Sequence, residues 1–190
     1  MEGPAVADLV SGDKNPSGHL TMSFPYCVGQ VPVHYNMKTT GRPIRMDAKN
    51  KKYFSRYMDI PNEPLFPFGY GLSYTKFEYS DLQIKPGNGK DVLQTVTCTV
   101  KNTGNCDGQE IVQLYIRDMV ASVAQAPILL KAFERITLKK GESKTVTFNL
   151  GKKELSIYNM NLEEVVEPGE FKVMVGAASN DIRLNGKFEL

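Results

Sequence analysis

Tryptophan is missing from the 190 residues, and only three cysteines and two histidines occur. Cys27, Cys98 and Cys106 are odd in number and lack the paired spacing of a zinc site or a Cys-x-x-C redox motif. Neither a disulfide framework nor a metal centre is expected from them. His19 and His34 are too far apart in the chain for their spacing to suggest a preformed metal site, and both read as structural. No apolar run approaches the ~20 residues of a membrane-spanning helix. A net charge of +2 creates no strong field for nucleic acid or an anionic membrane, so neither is expected as a partner. The first twenty residues lack a basic stretch followed by an apolar one, and no export signal is expected from them. There is no Gly-x-Ser-x-Gly elbow, no Gly-x-Gly-x-x-Gly and no phosphate loop, and no cofactor is expected. The one near match to an N-glycosylation acceptor, Asn15-Pro16-Ser17, carries the excluded proline.

What the chain does have is a dense aromatic connector. Pro64 to Thr75, Pro-Leu-Phe-Pro-Phe-Gly-Tyr-Gly-Leu-Ser-Tyr-Thr, interleaves aromatics and leucines with prolines and glycines. Proline fixes φ and removes a donor while glycine permits turns, so neither a long helix nor a central strand fits. A flexible linker would be Gly/Ser-rich instead. The segment reads as a joint pressed between its two flanks, with Phe66, Phe68, Tyr70 and Tyr74 expected to keep contacts with the part that follows.

Upstream, Ala5, Val6, Leu9 and Val10 predict an amphipathic helix stopped at Gly12. A turn cluster leads to His19–Phe24, which reads as a short strand closed by Pro25. A helix-to-strand unit normally belongs to an α/β sheet whose neighbouring strands shield it. Those neighbours are not in the sequence, so the strand is expected to be orphaned, free to pair with a second copy or to be mobile. From Cys27 to Pro61 the chain reads as loop. Val28 to Asn36 and Thr40 to Pro43 have a composition that could line a polar site or simply pack.

Downstream of Thr75 the period switches to two. Phe77–Ile84, then Val96, Cys98 and Val100, then Val112, Leu114 and Ile116 alternate with polar residues, separated by turn signals. Phe133, Ile136 and Leu138, then Val146, Phe148 and Leu150, then Phe171, Val173 and Val175, and finally Ile182–Leu190 continue the pattern. About seven or eight strands over about 115 residues predict a β-sandwich large enough to fold on its own. The fold class expected is mainly β, a sandwich of the fibronectin-III or immunoglobulin kind preceded by an incomplete α/β remnant. Residues 1–62 form the remnant, 63–75 the connector and 76–190 the sandwich. Lys51-Lys52, Lys139-Lys140 and Lys152-Lys153 read as solvated loop positions.

Carboxylates are the remaining source of chemistry. Glu163, Glu164 and Glu167 cluster beside the Pro168-Gly169 turn, where acidic residues ordinarily face water. Asp8 and Asp13 flank a helix end and a turn, where capping explains them. No catalytic, binding or metal residue is assigned from the pattern.

The connector from Leu65 to Thr75, followed by Phe77, resembles the signature of glycoside hydrolase family 3, the β-glucosidase and β-xylosidase group. Gly12-Asp13 with Asn15–Gly18, Phe24-Pro25, Val28–Pro32, Tyr35-Asn36 and Gly41–Pro43 resemble the end of that family's α/β sandwich domain. Val112–Asp118, Phe133–Arg135, Leu138–Ser143, Glu167–Gly169 and Val175-Gly176 resemble its fibronectin type III-like domain. Ala132 and Val10-Ser11 depart from the usual residues. The resemblance implies parents that remove terminal β-linked glucose or xylose with retention, often periplasmic or secreted. In them an aspartate nucleophile lies in an N-terminal barrel and a glutamate acid/base in the sandwich domain. Retention needs two carboxylates about 5 Å apart, and neither matched position falls within this chain. The polypeptide alone is therefore expected to hydrolyse nothing and to pack on catalytic domains of the parent or of a separately encoded part. A homodimer through the orphaned arm is the other partner expected. The alternatives are a free-standing module that binds carbohydrate or protein through exposed aromatics such as Tyr115 or Tyr158, and a non-functional truncated product.

Overall fold

The computed structural model describes residues 2–43, 52–89 and 91–190. Lys51, one of the lysines assigned to a solvated loop, lies outside the described residues. Helix α1 spans Glu2–Ser11 and ends at Gly12, whose φ of +85° suits a residue without Cβ. Strands β1 (Phe77–Pro86), β2 (Gln94–Asn102) and β5 (Ser143–Leu150) form one antiparallel sheet in the order β1-β2-β5. Strands β3 (Gly108–Asp118), β4 (Leu129–Leu138), β8 (Glu170–Ala178) and β9 (Asp181–Glu189) form the other, in the order β4-β3-β8-β9. A four-residue helix α2 (Lys152–Leu155) and a small hairpin of β6 (Ile157–Tyr158) and β7 (Glu164–Val165) complete the set.

The alternating positions meet between the sheets. Val96, Cys98 and Val100 of β2 and Val146, Phe148 and Leu150 of β5 face Val112, Leu114, Ile116, Ile136, Leu138, Phe171, Val173 and Val175 in one core. Burial of Cys98 pushes its thiol up to about 11, so it behaves as a small hydrophobe. Strand β1 departs from strict alternation, because Tyr79, Leu82 and Ile84 all belong to the core although 79 and 82 differ in parity. A bulge between Ser80 and Gln83, with Asp81 at φ 54°, resets the phase. The other face of β1, β2 and β5 carries Thr95, Thr97, Thr99, Thr145 and Thr147, as a solvated sheet face should.

The described residues of 2–43 and 52–62 lie along the sandwich as an arm, tied to it at Asn15 and Tyr35. His19–Phe24 is not the short strand the sequence suggests but two isolated bridges with a bend between them, and it is not orphaned. The Leu20 N–H donates to Tyr70 O (2.8 Å) and Gly69 N–H to Leu20 O (2.8 Å). Phe24 and Phe66 exchange a reciprocal pair at 2.8 and 3.2 Å. The connector has taken the place of a neighbouring strand, making isolated bridges at His19–Gly71 and Phe24–Phe66. At Leu20 and Phe24 the backbone groups that would have served strand exchange with another copy are thus already used.

One side chain joins the chain at Tyr26 to the chain at Pro61–Glu63. Gln30 is buried, accepts the Tyr26 N–H at 2.9 Å, and donates to Pro61 O (3.1 Å) and Glu63 O (3.0 Å). It reads in the sequence as a candidate lining residue for a polar site, and its amide is spent fastening the loop's two ends.

Candidate functional site

The connector is where arm and sandwich meet. The outer face of the four-stranded sheet presents Gln113 and Tyr115, and both are buried because the arm lies over them. Tyr35 sets its ring edge against Tyr115 at a centroid separation of 6.0 Å and stacks on Phe68 at 4.4 Å. The Leu130 N–H at the sheet edge donates to the Tyr35 hydroxyl at 3.2 Å. Gln113 donates to Ala177 O (2.5 Å) and Gly69 O (3.3 Å), and accepts the Tyr115 hydroxyl (2.5 Å). Tyr115 is 0% exposed, which removes it as a surface for carbohydrate. Its strand parity points outward, but outward here means under the arm.

The connector aromatics divide. Phe68 reaches the sandwich, and its carbonyl accepts the Ser179 N–H at 2.9 Å. Phe66 instead packs against Tyr70 (5.1 Å) and Phe24 (6.5 Å), and the Tyr74 hydroxyl donates to Leu9 O at the end of α1 (2.7 Å). The sequence suggests contact between all four and the sandwich; the hydrogen bond and ring contacts shown here reach it from Phe68, while Tyr70 lines a cavity shared with it. Phe66, Tyr70 and Tyr74 organise the arm. Asn15 ties three parts together, accepting from Ser73 Oγ (3.1 Å) and Tyr74 N (2.8 Å) and donating to Asp107 O (3.0 Å).

Two concavities flank the joint. One, of about 760 Å³, opens between arm and sandwich and is lined by His19, Tyr70, Lys76, Glu110, Asp181 and Arg183 among others. The other, of about 430 Å³, is an apolar groove of Pro16, Leu20, Phe24, Phe66, Tyr70 and Leu72. In the first, Glu110 is only 5% exposed, and burial pushes its carboxyl up to about 7. Arg183 is paired with Asp181 at 2.8 Å, donates to Phe77 O at 2.6 Å and lies over the Tyr79 ring. Burial also raises the Tyr79 phenol, whose oxygen has no hydrogen-bond partner among the described residues. Glu110 is the residue that sequence reasoning missed. The signal was there, since Glu110 shares the inward parity of Val112, Leu114 and Ile116.

The other candidate acidic residues lie outside the lining of this cavity, and each has a structural partner for its side chain or, at Asp8, for its backbone carbonyl. Glu163 accepts from Asn159 (3.0 Å), and Glu164 accepts from Ser156 (2.8 Å) and lies 4.0 Å from Lys152. Glu167 accepts the Ser122 hydroxyl and its N–H, which lowers its carboxyl below the usual range. Asp13 accepts from Ser11 (2.7 Å), while the Asp8 carbonyl accepts the Lys14 N–H (3.0 Å). His34 contributes its carbonyl to the Met37 N–H (3.3 Å). Among the described residues no group of three or more His, Cys, Asp or Glu converges as a metal site.

Comparison with known proteins bears on both halves of the chain. A family model described as the glycosyl hydrolase family 3 C-terminal domain matches residues 1–74, and one described as a fibronectin type III-like domain matches 110–179. A periplasmic β-glucosidase of Salmonella typhimurium is 46% identical over 99% of this chain and 24% of its own length. A β-xylosidase of Formosa agariphila is 49% identical over 93% of this chain and 24% of its own. The crystal structure of a β-glucosidase from Listeria innocua in complex with glucose superposes with a TM-score of 0.89 at 47% identity, over 98% of this chain and 26% of that one. The chain thus spans about a quarter of the length of these relatives.

Proposed function

This chain belongs to glycosyl hydrolase family 3, as the C-terminal portion of such an enzyme, and we propose that it serves to seat and stabilise catalytic domains that remove terminal β-linked glucose or xylose. The carrying observation is where apolar surface is left uncovered. Helix α1 buries none of its residues, and Val10 is 80% exposed. Met22, Phe24, Val28, Leu65, Phe66 and Leu72 are also exposed on the arm and connector, around the apolar groove. An amphipathic helix with nothing on its apolar side has no stability of its own at this length. A patch of this kind marks an interaction surface. The catalytic domains are the partner this surface fits, and the name of the Salmonella relative supports a periplasmic or secreted parent. A homodimer through the arm would draw chiefly on these side chains, because the backbone groups of Leu20 and Phe24 are already paired with the connector.

Two expected results test the proposal. The pure chain leaves nitrophenyl β-glucoside and β-xyloside intact; turnover abolished by mutating one of its own carboxylates would overturn the non-catalytic reading. A chimera in which this chain replaces the matching quarter of the Salmonella enzyme hydrolyses the glucoside. Val10→Asp with Leu72→Asp shortens the chimera's half-life at elevated temperature by about tenfold or more, since two charges are forced into an apolar seam. An unchanged half-life would show that the seam lies elsewhere. One feature favours a second reading, a self-sufficient binding module: Tyr158, Met160 and Leu162 project from the β6–β7 hairpin. Retention on xylan or glucan gels that Tyr158→Ala abolishes would support it.

A further inference from the structure

Two asparagines in the chain are followed by glycine, and both stand in the same tripeptide, Asn-Gly-Lys, at Asn88 and at Asn185. In such a pair the glycine nitrogen can attack the side-chain amide carbon of the residue before it, and the missing Cβ leaves the approach open. Attack requires that the nitrogen be free to give up its proton and that the peptide between the two residues rotate toward the side chain. Local sequence makes the two pairs equivalent, and the fold separates them.

Asn185 and Gly186 belong to β9, in antiparallel register with Met174 and Val173 of β8. Closing a ring there would rotate the peptide far from the extended geometry that the pairing imposes. The Gly186 main chain is also pressed on the core, since a Cβ at this position would stand 2.7 Å from Ile84 Cδ1 and 3.1 Å from Leu82 Cδ2. Reaction at Asn185 must wait for this edge of the sheet to open.

Asn88 and Gly89 are exposed in the bend between β1 and β2. Among the described residues neither the Asn88 side chain nor the Gly89 N–H has a hydrogen-bond partner. A Cβ on Gly89 would meet nothing within 4 Å, so the peptide has room to rotate. The bend is pinned only at its ends, where Gly87 N–H donates to Leu93 O (2.9 Å) and Leu93 N–H to Leu150 O (2.8 Å).

We propose that Asn88 is a site of spontaneous deamidation. The Gly89 nitrogen gives its proton to a base and bonds to Asn88 Cγ. The bond from Cγ to the side-chain nitrogen breaks, and that nitrogen takes up a proton and leaves as ammonia. Water then adds to either carbonyl of the resulting cyclic imide and breaks that carbon's bond to the Gly89 nitrogen, which regains its proton. Opening at Cγ yields aspartate, and opening at the backbone carbonyl yields an isoaspartyl link in which the main chain runs through Cβ and Cγ. One water is consumed, one ammonia is released and nothing is oxidised or reduced. Either product adds a negative charge to a chain of formal net charge +2, in the same bend as Asp91. The isoaspartyl product also lengthens the main chain inside a bend whose ends are fixed. Every group involved lies within this chain, so the inference stands apart from docking to catalytic domains.

Peptide mapping by mass spectrometry of the pure chain, aged at mildly alkaline pH, tests it by reading amide against carboxyl at each asparagine. Conversion at Asn88 is expected to run at least about tenfold faster than at Asn185, whose strand must first open. The same chain aged in denaturant should convert both pairs at similar rates, which assigns the difference to the fold. Gly89→Ala fits the open space and the ordinary φ at this position, and its methyl crowds the attacking nitrogen. That variant is expected to slow conversion at Asn88 by about tenfold. Equal conversion of Asn88 and Asn185 in the folded chain, an Asn88 that stays intact while the denatured chain reacts, or an unslowed Gly89→Ala would each overturn the proposal.

Discussion

Asn102→Ala is expected to lower the melting temperature of the chain by about 10 °C. Asn102 is 0% exposed at the end of β2, and its amide is saturated. Nδ2 donates to Cys106 O (2.8 Å) and Leu138 O (3.2 Å), while Oδ1 accepts from Gly104 N (3.1 Å) and Thr75 Oγ1 (2.5 Å). Those four partners belong to the last residue of the connector, the β2–β3 turn and the end of β4. Truncation leaves all four groups without their partner in a region closed to water. At roughly 1 kcal/mol each, the loss is about 3–4 kcal/mol, and a chain of this size shifts by about 2–4 °C per kcal/mol. Thermal unfolding followed by circular dichroism measures it. A shift of only a degree or two would mean that water replaces the amide. Asn102→Asp sets a buried carboxylate oxygen against the Cys106 and Leu138 carbonyls, so it is expected to cost at least as much as Asn102→Ala.

The sequence pattern Asn102-Thr103-Gly104 announces a turn but not this junction, since two of the four partners, Thr75 and Leu138, are set by chain far from it. The same distinction runs through the molecule. Residues whose burial depends on one sheet facing another were legible from period two alone, as at Val96, Cys98 and Val100. Residues whose burial depends on a third layer were not. Tyr115 and Gln113 alternate correctly outward, and only the arm's path makes outward mean covered. Parity also fails where the backbone slips, because the bulge at Asp81 carries Leu82 back to the side of Tyr79. The extended stretch at His19–Phe24 makes only isolated bridges rather than a strand, and its partner is the connector rather than an α/β sheet. The exposed apolar side of α1 was legible from Val6 and Val10. What covers it is a question of parts that the matched relatives have beyond this chain.

Gly69→Ala is expected to detach the arm while leaving the sandwich folded. Gly69 has φ +81°, a region in which an L residue costs about 1–2 kcal/mol. A Cβ there would stand 2.2 Å from Gln113 Oε1 and 2.8 Å from its Nε2. Gln113 cannot withdraw without loss, because it is held by Ala177 O and the Tyr115 hydroxyl in the buried outer face of the sheet. Overpacking of this kind adds about 1–3 kcal/mol. The damage falls on the residue whose carbonyl receives both His19 and Gln113 and whose N–H reaches Leu20. Limited proteolysis within residues 13–37 should accelerate by about tenfold or more, in proportion to the opened population, while exchange in β2 and β3 stays slow. Equal protection of the arm in the variant would show that the joint tolerates a side chain. Gln113→Ala in the same chain separates the two causes. It removes the clash but not the backbone cost, so the double variant should recover part of the loss relative to the sum of the single effects. Strict additivity would place the whole penalty in the backbone of Gly69 and none in its seat against the sheet.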